Sequence, residues 1–430
     1  MPKKRKSHYH ADMLSVEEAR EKILSVFKPL EEINVNIKDS LGYVISKDIV
    51  SKISVPPWDN SAMDGYAVLL EDVKNASSNN IVYLEVVEEI AAGNLPRLPI
   101  SSGQASRIMT GAPVPHGANA VIPFEDTDEN FSKSSKKIGI KIDAENFENI
   151  RKCGEDISEG DKIIIKGTEI SPAVIGVLAS IGYDQITVFR KPKIGILSTG
   201  NELVEPGNKL EKGKIYNSNS STIASLSELF GAETISQTHS LDTIEDLEKK
   251  INNFSDVDLI VTSAGVSKGD YDVVKDVLNK NGDMNFWSVN MRPAKPLAFG
   301  HIDIDDRKIP LIGLPGNPVS AMIAFEKFGR YAIDKMSGKK IKHRPIIKAI
   351  LTADIQNYDG RRLYARVKVS REGSNVTATP LKNQSSGVLT SMFLSNGLAI
   401  CPSGTDILKK DQKIDVEMFG WNEDISEILN

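Results

Sequence analysis

The chain has 430 residues but only two cysteines, and it contains no long apolar run. Cys153 and Cys401 can build neither a disulfide framework nor the paired spacing of a zinc site. We therefore expect a reducing, cytoplasmic setting in which both thiols are buried as small apolar fillers. The longest apolar stretch, at 174–181, is too short to cross a bilayer, so no membrane partner is expected.

An excess of one charge is also missing, because the formal net charge is only −5 with both signs plentiful. This balance argues against a general nucleic-acid binder, whose surface is usually strongly basic. The basic start at 3–6 is not followed by an apolar segment and predicts a solvated tail, neither a secretory signal nor a nuclear address. Neither G-x-G-x-x-G nor G-x-x-x-x-G-K-[ST] occurs, so a generic nucleotide-cofactor site is not expected.

What the sequence does contain is a repeated strand, loop and helix pattern between Lys193 and Lys335. The apolar runs are short and nearly unbroken, which is typical of strands covered by helices on both faces. The pattern predicts a parallel α/β sheet, with strands at 194–198, 234–239, 258–262 and 309–313 and helices at 222–230, 243–253, 271–279 and from Val319 onward.

Three loops of this block, at 198–202, 262–270 and 313–318, are rich in Gly, Ser, Thr or Asn and each follows a predicted strand. The carboxyl ends of parallel strands share one edge of the sheet, where ligands bind, and glycine-rich turns before helices favour anions. These loops, together with nearby charged residues, predict a phosphate and metal site: Glu202, Asp270, Asp272, Arg292 and Lys295. Alternatively, the glycines only form tight turns and Asn317 with Pro318 only starts a helix.

The rest of the chain divides into three further units. A capping box at 15–18 starts a helix that ends before Pro29, and the loop at 55–68 is rich in Pro, Asp, Asn and Gly. Asp59 and Asp64 in this loop either face a ligand or form turns with their own backbone. We predict four domains, one of them discontinuous: a mixed N-terminal domain (8–50 and 151–190), a β-rich insert (51–150), the α/β domain (191–338) and a C-terminal β domain (339–430).

Four strings carry a resemblance to a known family. They are PPWDNSAMDGYA at 56–67, IMTGAP at 108–113, STGNEL at 198–203 and GLPGNPVSA at 313–321. In this order they resemble the molybdopterin molybdenumtransferase family, which includes MoeA and the gephyrin E domain, and the similarity runs from about Ser15 to Pro402.

The resemblance implies an enzyme of molybdenum cofactor assembly that forms an elongated homodimer with four domains per chain. Such an enzyme takes adenylylated molybdopterin and molybdate and releases AMP in the presence of Mg²⁺. A phosphoanhydride and an oxyanion need backbone amides, cationic side chains and carboxylates that hold the metal, which matches the loops described above.

Carried over residue by residue, the resemblance places six residues in the catalytic cleft: Asp59, Thr110, Asp156, Glu202, Asp242 and Asp272. Glu202 and Asp272 would be the metal ligands. Substrate contacts would come from Ser198, Thr199, Gly200, Gly265, Ser267, Arg292, Lys295, Pro315, Gly316, Asn317, Pro318, Arg361, Ser386 and Ser391. The last three belong to the C-terminal domain, whose place in the cleft is expected to depend on the dimer. Alternatively, Asp242 is a helix cap, Asp156 a turn residue and Arg361 a solvated charge.

Four residues depart from the family pattern. Arg292 stands where Lys is more frequent, Ala264 and Ala294 replace glycines, and Asn201 replaces a frequent Asp. An arginine contacts an anion as a planar fork and not as a point charge.

Rival functions are compatible with the same sequence. A molybdopterin adenylyltransferase shares the central α/β module, but it lacks the flanking domains predicted here and is instead a possible partner. A tungsten-inserting paralog would carry the same motifs, because tungstate and molybdate have nearly the same size and charge. A non-catalytic dimeric scaffold of the same fold is the last rival.

Overall fold

The computed structural model describes residues 13–128, 136–264, 276–277, 280, 282–373 and 375–419. Gly265, Ser267, Asp270, Asp272 and most of the predicted helix at 271–279 lie outside these residues. None of the helices in the described residues combines the length and apolar character that crossing a membrane requires.

The central α/β domain is built on a six-stranded sheet with the order Glu233–Ser240, Lys193–Thr199, Leu259–Ser263, Arg307–Leu314, Pro296–Ile304 and Gly282–Ser288. The first four strands are parallel, as predicted. The apolar side chains of Lys193–Thr199 and Leu259–Ser263 are buried because helices cover both faces of the sheet.

Two further strands at one edge of the sheet were not predicted. Gly282–Ser288 and Pro296–Ile304 form antiparallel strands that extend the sheet beyond Arg307–Leu314. Gly282–Ser288 alternates between more and less exposed positions and lacks the unbroken apolar run by which the other strands were identified.

The described helices of this domain are Ser218–Leu229, Ile244–Ile251 and Pro318–Ala324, the last continuing through a π-helical turn at Phe325–Gly329 into Arg330–Met336. The first helix of the chain, Val16–Leu24, starts at the predicted capping box of Ser15 and Glu18. The predicted domain bounds group this helix with residues 151–190, but it packs on Phe325–Gly329 and Arg330–Met336. Its apolar face joins the core of the α/β domain.

On the two sides of the insert, distant segments share a small sheet. Glu32–Asn36 and Val44–Ile45 both pair with Gln185–Phe189, and Ile49–Val50 pairs with Lys162–Ile164. The helix Pro172–Ser180, capped by Ser171, contributes to the same apolar core.

The insert itself is a five-stranded sheet with the order Ala120–Pro123, Gly65–Val68, Gln104–Ile108, Val82–Ile90 and Lys137–Ile140, beside the short helix Leu70–Val73. A two-residue ladder between Asn60–Ser61 and Ile150–Arg151 ties the start of the insert to its end.

The C-terminal domain is a β domain, as predicted. Its sheet has the order Met291–Arg292, Arg362–Glu372, Asn375–Pro380, Ile346–Leu351, Lys413–Met418 and Gly397–Cys401. It closes on itself because Arg362–Glu372 also pairs with Gly397–Cys401. Met291–Arg292 comes from the α/β domain, so the two domains are joined by backbone pairing.

Candidate active site

The loop at 56–67 is held to the loop at 108–113 by Asp64. Its Oδ1 accepts hydrogen bonds from the Thr110 N–H (2.7 Å) and the Thr110 hydroxyl (2.9 Å). These two bonds lower the pKa of the Asp64 carboxyl. Thr110, a predicted catalytic residue, therefore already uses its hydroxyl to fix this loop pair.

Asp59 is engaged on both carboxylate oxygens. Oδ2 pairs with the Lys152 ammonium at 2.8 Å, and Oδ1 accepts from the Cys153 N–H at 2.8 Å. Burial alone raises the pKa of Asp59, but the hydrogen bonds from Lys152 and Cys153 outweigh burial, so the pKa is lowered. The Lys152 ammonium also lies 3.1 Å from the centre of the Phe147 ring. Asp59 is thus held ionised against a fixed cation.

Asp156 lies on the loop that carries these contacts. Its N–H bonds to the Val55 carbonyl at 3.0 Å, which brings the loop back onto the segment before Asp59. Its side chain is exposed and has no described hydrogen-bond partner, and its backbone lies at a bend, so both its catalytic role and the alternative of a turn residue stay predictions. Cys153 is exposed, contrary to expectation, whereas Cys401 is buried.

A second cluster surrounds the first βα loop of the central sheet. The Asp242 carboxylate accepts from the Asn201 N–H (3.1 Å), and the Asn201 side chain accepts from the Asp242 N–H (3.2 Å). The cap of the following helix is Thr243, not Asp242. Asp242 therefore bridges two loops at the carboxyl edge of the sheet, and the helix-cap alternative is wrong.

Glu202 in the same loop is exposed, and its carboxylate has no described hydrogen-bond partner. It lies over Gly200, where a Cβ atom would come within 2.5 Å of Glu202 Oε2 and where φ is +145°. Ser198 and Thr199 are buried, and Ser263 Oγ donates to Ser198 Oγ at 3.3 Å. Ser198 and Thr199, both predicted to contact the substrate, are therefore buried, whereas Asn201 and Glu202 of the same loop are exposed.

The third cluster begins at the loop 315–318. Pro315 is buried, whereas Gly316 and Asn317 are exposed and Pro318 opens the helix. Asn317 occupies the N-cap position, but its side chain makes no capping hydrogen bond. Asn219, which was not predicted from the sequence, holds the loop by donating to the Gly316 carbonyl at 2.8 Å. The exposed backbone of this loop is thus fixed in place at the start of a helix.

Arg292 and Lys295 are the two cations of the anion site predicted from the sequence. Both are partly buried, and no described carboxylate forms an ion pair with either one. Ala294 between them has φ +71°, and Ala264 has φ +88°. The two alanines that replace family glycines therefore both occupy the left-handed region, which L-residues other than glycine seldom adopt.

The C-terminal domain reaches this cluster within a single chain. Arg361 pairs with Asp359 and donates to the Met291 carbonyl at 2.7 Å. The Ser386 carbonyl accepts from the Val319 N–H at 3.1 Å, in the first turn of the helix after Pro318. Both residues thus contact the α/β domain within one chain, and the expected dependence of their place in the cleft on a dimer stays a prediction.

Ser391 is buried and does not face solvent. Its hydroxyl donates to the Val388 carbonyl at 2.6 Å and accepts from Arg366 Nε at 3.2 Å. Arg366 is fully buried and was missed in the sequence. The sequence feature that could have indicated its burial is the position of Arg366 between the apolar residues Ala365 and Val367.

The three clusters are not joined into one site within the described residues. No described hydrogen bond or ion pair links the Asp59 group to Glu202, Asp242 or Arg292. The described residues also contain no group of three or more His, Cys, Asp or Glu side chains that could hold a metal by themselves. Gly265, Ser267 and Asp272 lie outside the described part of the chain.

Comparisons with known proteins bear on this arrangement. Three family models match in sequence: the MoeA N-terminal region (domains I and II) over residues 14–182, a probable molybdopterin binding domain over 195–335, and the MoeA C-terminal region (domain IV) over 348–419. They follow one another along most of the described chain.

Two curated relatives are similar over most of their length. Molybdopterin molybdenumtransferase 2 of Mycobacterium tuberculosis is 36% identical over 371 residues, covering 85% of this chain and 90% of that protein. Molybdopterin molybdenumtransferase of Staphylococcus epidermidis is 34% identical over 420 residues, covering 97% and 98%.

Among solved structures, two crystal structures of the MoeA protein of Pyrococcus horikoshii superpose with TM-scores of 0.78 and 0.76, at 30% and 28% identity. Each alignment covers 95% of this chain and 100% of the other. With three matched regions and relatives that span nearly the whole sequence, the chain belongs to the MoeA family of molybdopterin molybdenumtransferases.

Proposed function

We propose that this chain is a molybdopterin molybdenumtransferase, which inserts molybdate into adenylylated molybdopterin and releases AMP. The observation that carries the proposal is a pair of partly buried cations, Arg292 and Lys295, neither of which forms an ion pair with a carboxylate within the described residues. The exposed loop of Gly316 and Asn317, held by Asn219, supplies backbone groups that a ligand can approach. Partly buried positive charge without a paired carboxylate favours anionic ligands, and the substrate brings a phosphoanhydride together with molybdate.

Within this cluster each residue has a distinct task. Arg292 offers a planar fork to an oxyanion, whereas Lys295 supplies a point charge. The backbone of Gly316 allows close approach of a ligand group, because this loop is exposed and carries no side chain there. The Arg361 guanidinium forms an ion pair with Asp359 and donates a hydrogen bond to the Met291 carbonyl, which fixes the strand that carries Arg292.

We propose Mg²⁺ as the divalent ion, with Glu202 and Asp272 as its protein ligands. Magnesium in phosphoryl sites is usually held by one or two carboxylates together with water and substrate phosphates, so no complete protein cage is required. The exposed Glu202 carboxylate, which has no described partner, fits this chemistry. When bound, the ion would offset the negative charge of the phosphoanhydride beside Asp242 and Glu202.

We also propose that the protein is a homodimer of the cytoplasm. The Asp59 group has no described contact with the other two clusters, yet the resemblance places all three in one cleft. A cleft between two chains would bring the Asp59 group of one chain to the α/β loops of its partner. Asp59, Thr110 and Asp156 would then act at the far side of the substrate.

A molybdopterin adenylyltransferase is better suited as a partner that supplies the adenylylated substrate than as the function of this chain. The chain matches the MoeA N-terminal and C-terminal models in addition to the molybdopterin binding domain. Tungstate and molybdate share size and charge, so a tungsten-inserting role would use the same cluster.

The test is AMP release by the purified protein from adenylylated molybdopterin. We expect release only when molybdate and Mg²⁺ are both present. Lys295→Met should raise the KM for the adenylylated substrate about tenfold, the size of one hydrogen bond to a charged group. Lys348→Met is the matched control, because Lys348 pairs with Asp415 on the exposed face of the C-terminal domain.

Two outcomes would contradict the proposal. If the protein consumes ATP and free molybdopterin instead, it is an adenylyltransferase. If it releases no AMP under any of these conditions but remains a folded dimer, the scaffold function is correct.

A further inference from the structure

Tyr358 is a large aromatic side chain that the C-terminal domain leaves in solvent. It lies at a bend and is 78% exposed. Two exposed aromatic side chains of the described residues lie against a cation. Phe147 lies against Lys152, which is paired with Asp59. Tyr358 lies against Arg292, which forms no ion pair with a described carboxylate and can therefore still bind an anion.

The bend that carries Tyr358 is fixed by the residue before it. Asn357 is buried, and its Nδ2 donates to the carbonyls of Arg361 at 2.8 Å and of Thr405 at 3.0 Å. The Asn357 N–H donates to the Asp406 carbonyl at 2.7 Å. A side chain on a fixed bend loses less freedom when a ligand binds than one on a loose loop, so Tyr358 is pre-organised for contact.

The same bend is tied to the strand that carries Arg292. Arg361 donates to the Met291 carbonyl at 2.7 Å, and its Nε donates to the Asp359 carboxylate at 3.1 Å. Asp359 is thereby engaged by Arg361 and not by Arg292. The Arg292 guanidinium lies 5.9 Å from the centre of the Tyr358 ring. The exposed ring and the cation are therefore held side by side.

A ring and a guanidinium in this arrangement suit one class of ligand. The contact between Arg292 and Tyr358 is weak at an exposed site, so it does not by itself account for a large ring held in water. Aromatic rings bind planar heterocycles by stacking, and a guanidinium binds a phosphate or another oxyanion as a fork. The pair therefore fits a ligand whose planar heterocycle is connected to an anion.

We propose that Tyr358 is a substrate-binding residue on which a planar heterocycle stacks while the attached anion meets Arg292. This inference rests on the proposed function for the identity of the substrate. Adenylylated molybdopterin contains two such heterocycles, the pterin and the adenine, and each is joined to a phosphate. Probes that contain one heterocycle each distinguish the two.

The first measurement is the binding of AMP and of biopterin to the purified protein by calorimetry. Tyr358→Leu keeps an apolar side chain but removes the aromatic face, and we expect it to weaken one of the two probes roughly five- to hundredfold. Tyr358→Phe should bind that probe as the wild type does, because the Tyr358 hydroxyl makes no hydrogen bond within the described residues.

The matched control is Tyr83→Leu. Tyr83 is 58% exposed on the strand Val82–Ile90 of the insert, and no described cation lies over its ring. Both leucine variants should melt near the wild-type temperature, because substitutions of exposed side chains seldom change stability much. Only Tyr358→Leu should weaken the probe.

The second measurement is the KM for adenylylated molybdopterin in the AMP-release assay. We expect Tyr358→Leu to raise this KM roughly five- to hundredfold with little change in kcat, and Tyr358→Phe to leave it unchanged. A KM that rises in Tyr358→Leu and not in Tyr358→Phe supports stacking even where an isolated heterocycle binds too weakly to measure.

The stacking role is overturned if Tyr358→Leu matches Tyr83→Leu in both measurements. It is also overturned if Tyr358→Phe is impaired as much as Tyr358→Leu, since the hydroxyl and not the ring would then make the contact. A wild-type protein that binds a probe through Tyr358 but releases no AMP contradicts the proposed function alone. A wild-type protein that releases AMP alongside an unaffected Tyr358→Leu contradicts only the role of Tyr358.

Discussion

A Gly316→Ala substitution can distinguish an effect on substrate binding from an effect on folding. Its φ lies outside the left-handed region, and a Cβ atom placed on it would meet only Ala264, at 3.5 Å from the Ala264 methyl. This distance is ordinary van der Waals contact. A glycine to alanine change at a compatible position stabilises a protein by about 0.4–1 kcal/mol, through the unfolded chain. Gly316→Ala should thus melt at the same temperature or slightly higher.

Activity should respond in the opposite direction. If a substrate group lies against the Gly316 backbone, the added methyl displaces it, and a misplacement of about 1 Å costs on the order of 100-fold in rate. The assay is AMP release with molybdate and Mg²⁺, alongside thermal melting of the same preparation. A stable variant with wild-type kcat and KM would refute the reasoning that the loop 315–318 receives the substrate.

Two glycines serve as controls for this experiment. Gly176 lies in the helix Pro172–Ser180, and a Cβ atom added there would meet no other atom within 4 Å. Gly176→Ala should therefore gain about 0.5–1 kcal/mol of stability and keep full activity. At Gly195, by contrast, a Cβ atom would lie 2.4 Å from the Phe254 ring, and overpacking should cost about 1–3 kcal/mol.

Two more predictions follow from the Asp59 group. Because the Lys152 hydrogen bond and charge help to lower the pKa of Asp59, Lys152→Met should move the carboxyl titration of Asp59, followed by NMR, to higher pH. The stability that the ionised Asp59 contributes is present above its unfolded pKa and is lost as pH falls through the folded pKa, so the variant should lose less on acidification. Lys162→Met, which breaks the similar pair with Asp48, should leave Asp59 unchanged; equal titration of Asp59 in all three proteins would contradict the assignment. The protein should also be a dimer at low micromolar concentration by light scattering, and a fully active monomer would show that the cleft forms within one chain.

Features with a local cause could be predicted from the sequence. The capping box at Ser15 and the strand Lys193–Thr199 follow from neighbouring residues, and the structure contains both. The loops at 198–202 and 313–318 were likewise identified from their own glycines and polar side chains. The replacement of two family glycines by Ala264 and Ala294 was visible as well, but only the structure shows that both residues adopt positive φ.

Only the tertiary structure decided which helices and strands pack or pair with one another. The apolar face of Val16–Leu24 would suit several surfaces, and the chain places it on Phe325–Gly329. The antiparallel strands at the sheet edge, the union of Met291–Arg292 with the C-terminal sheet, and the burial of Arg366 all depend on residues far away in sequence. Turn and capping preferences act over a few residues and can be read locally, whereas burial and strand pairing are settled by which distant surfaces exclude water together.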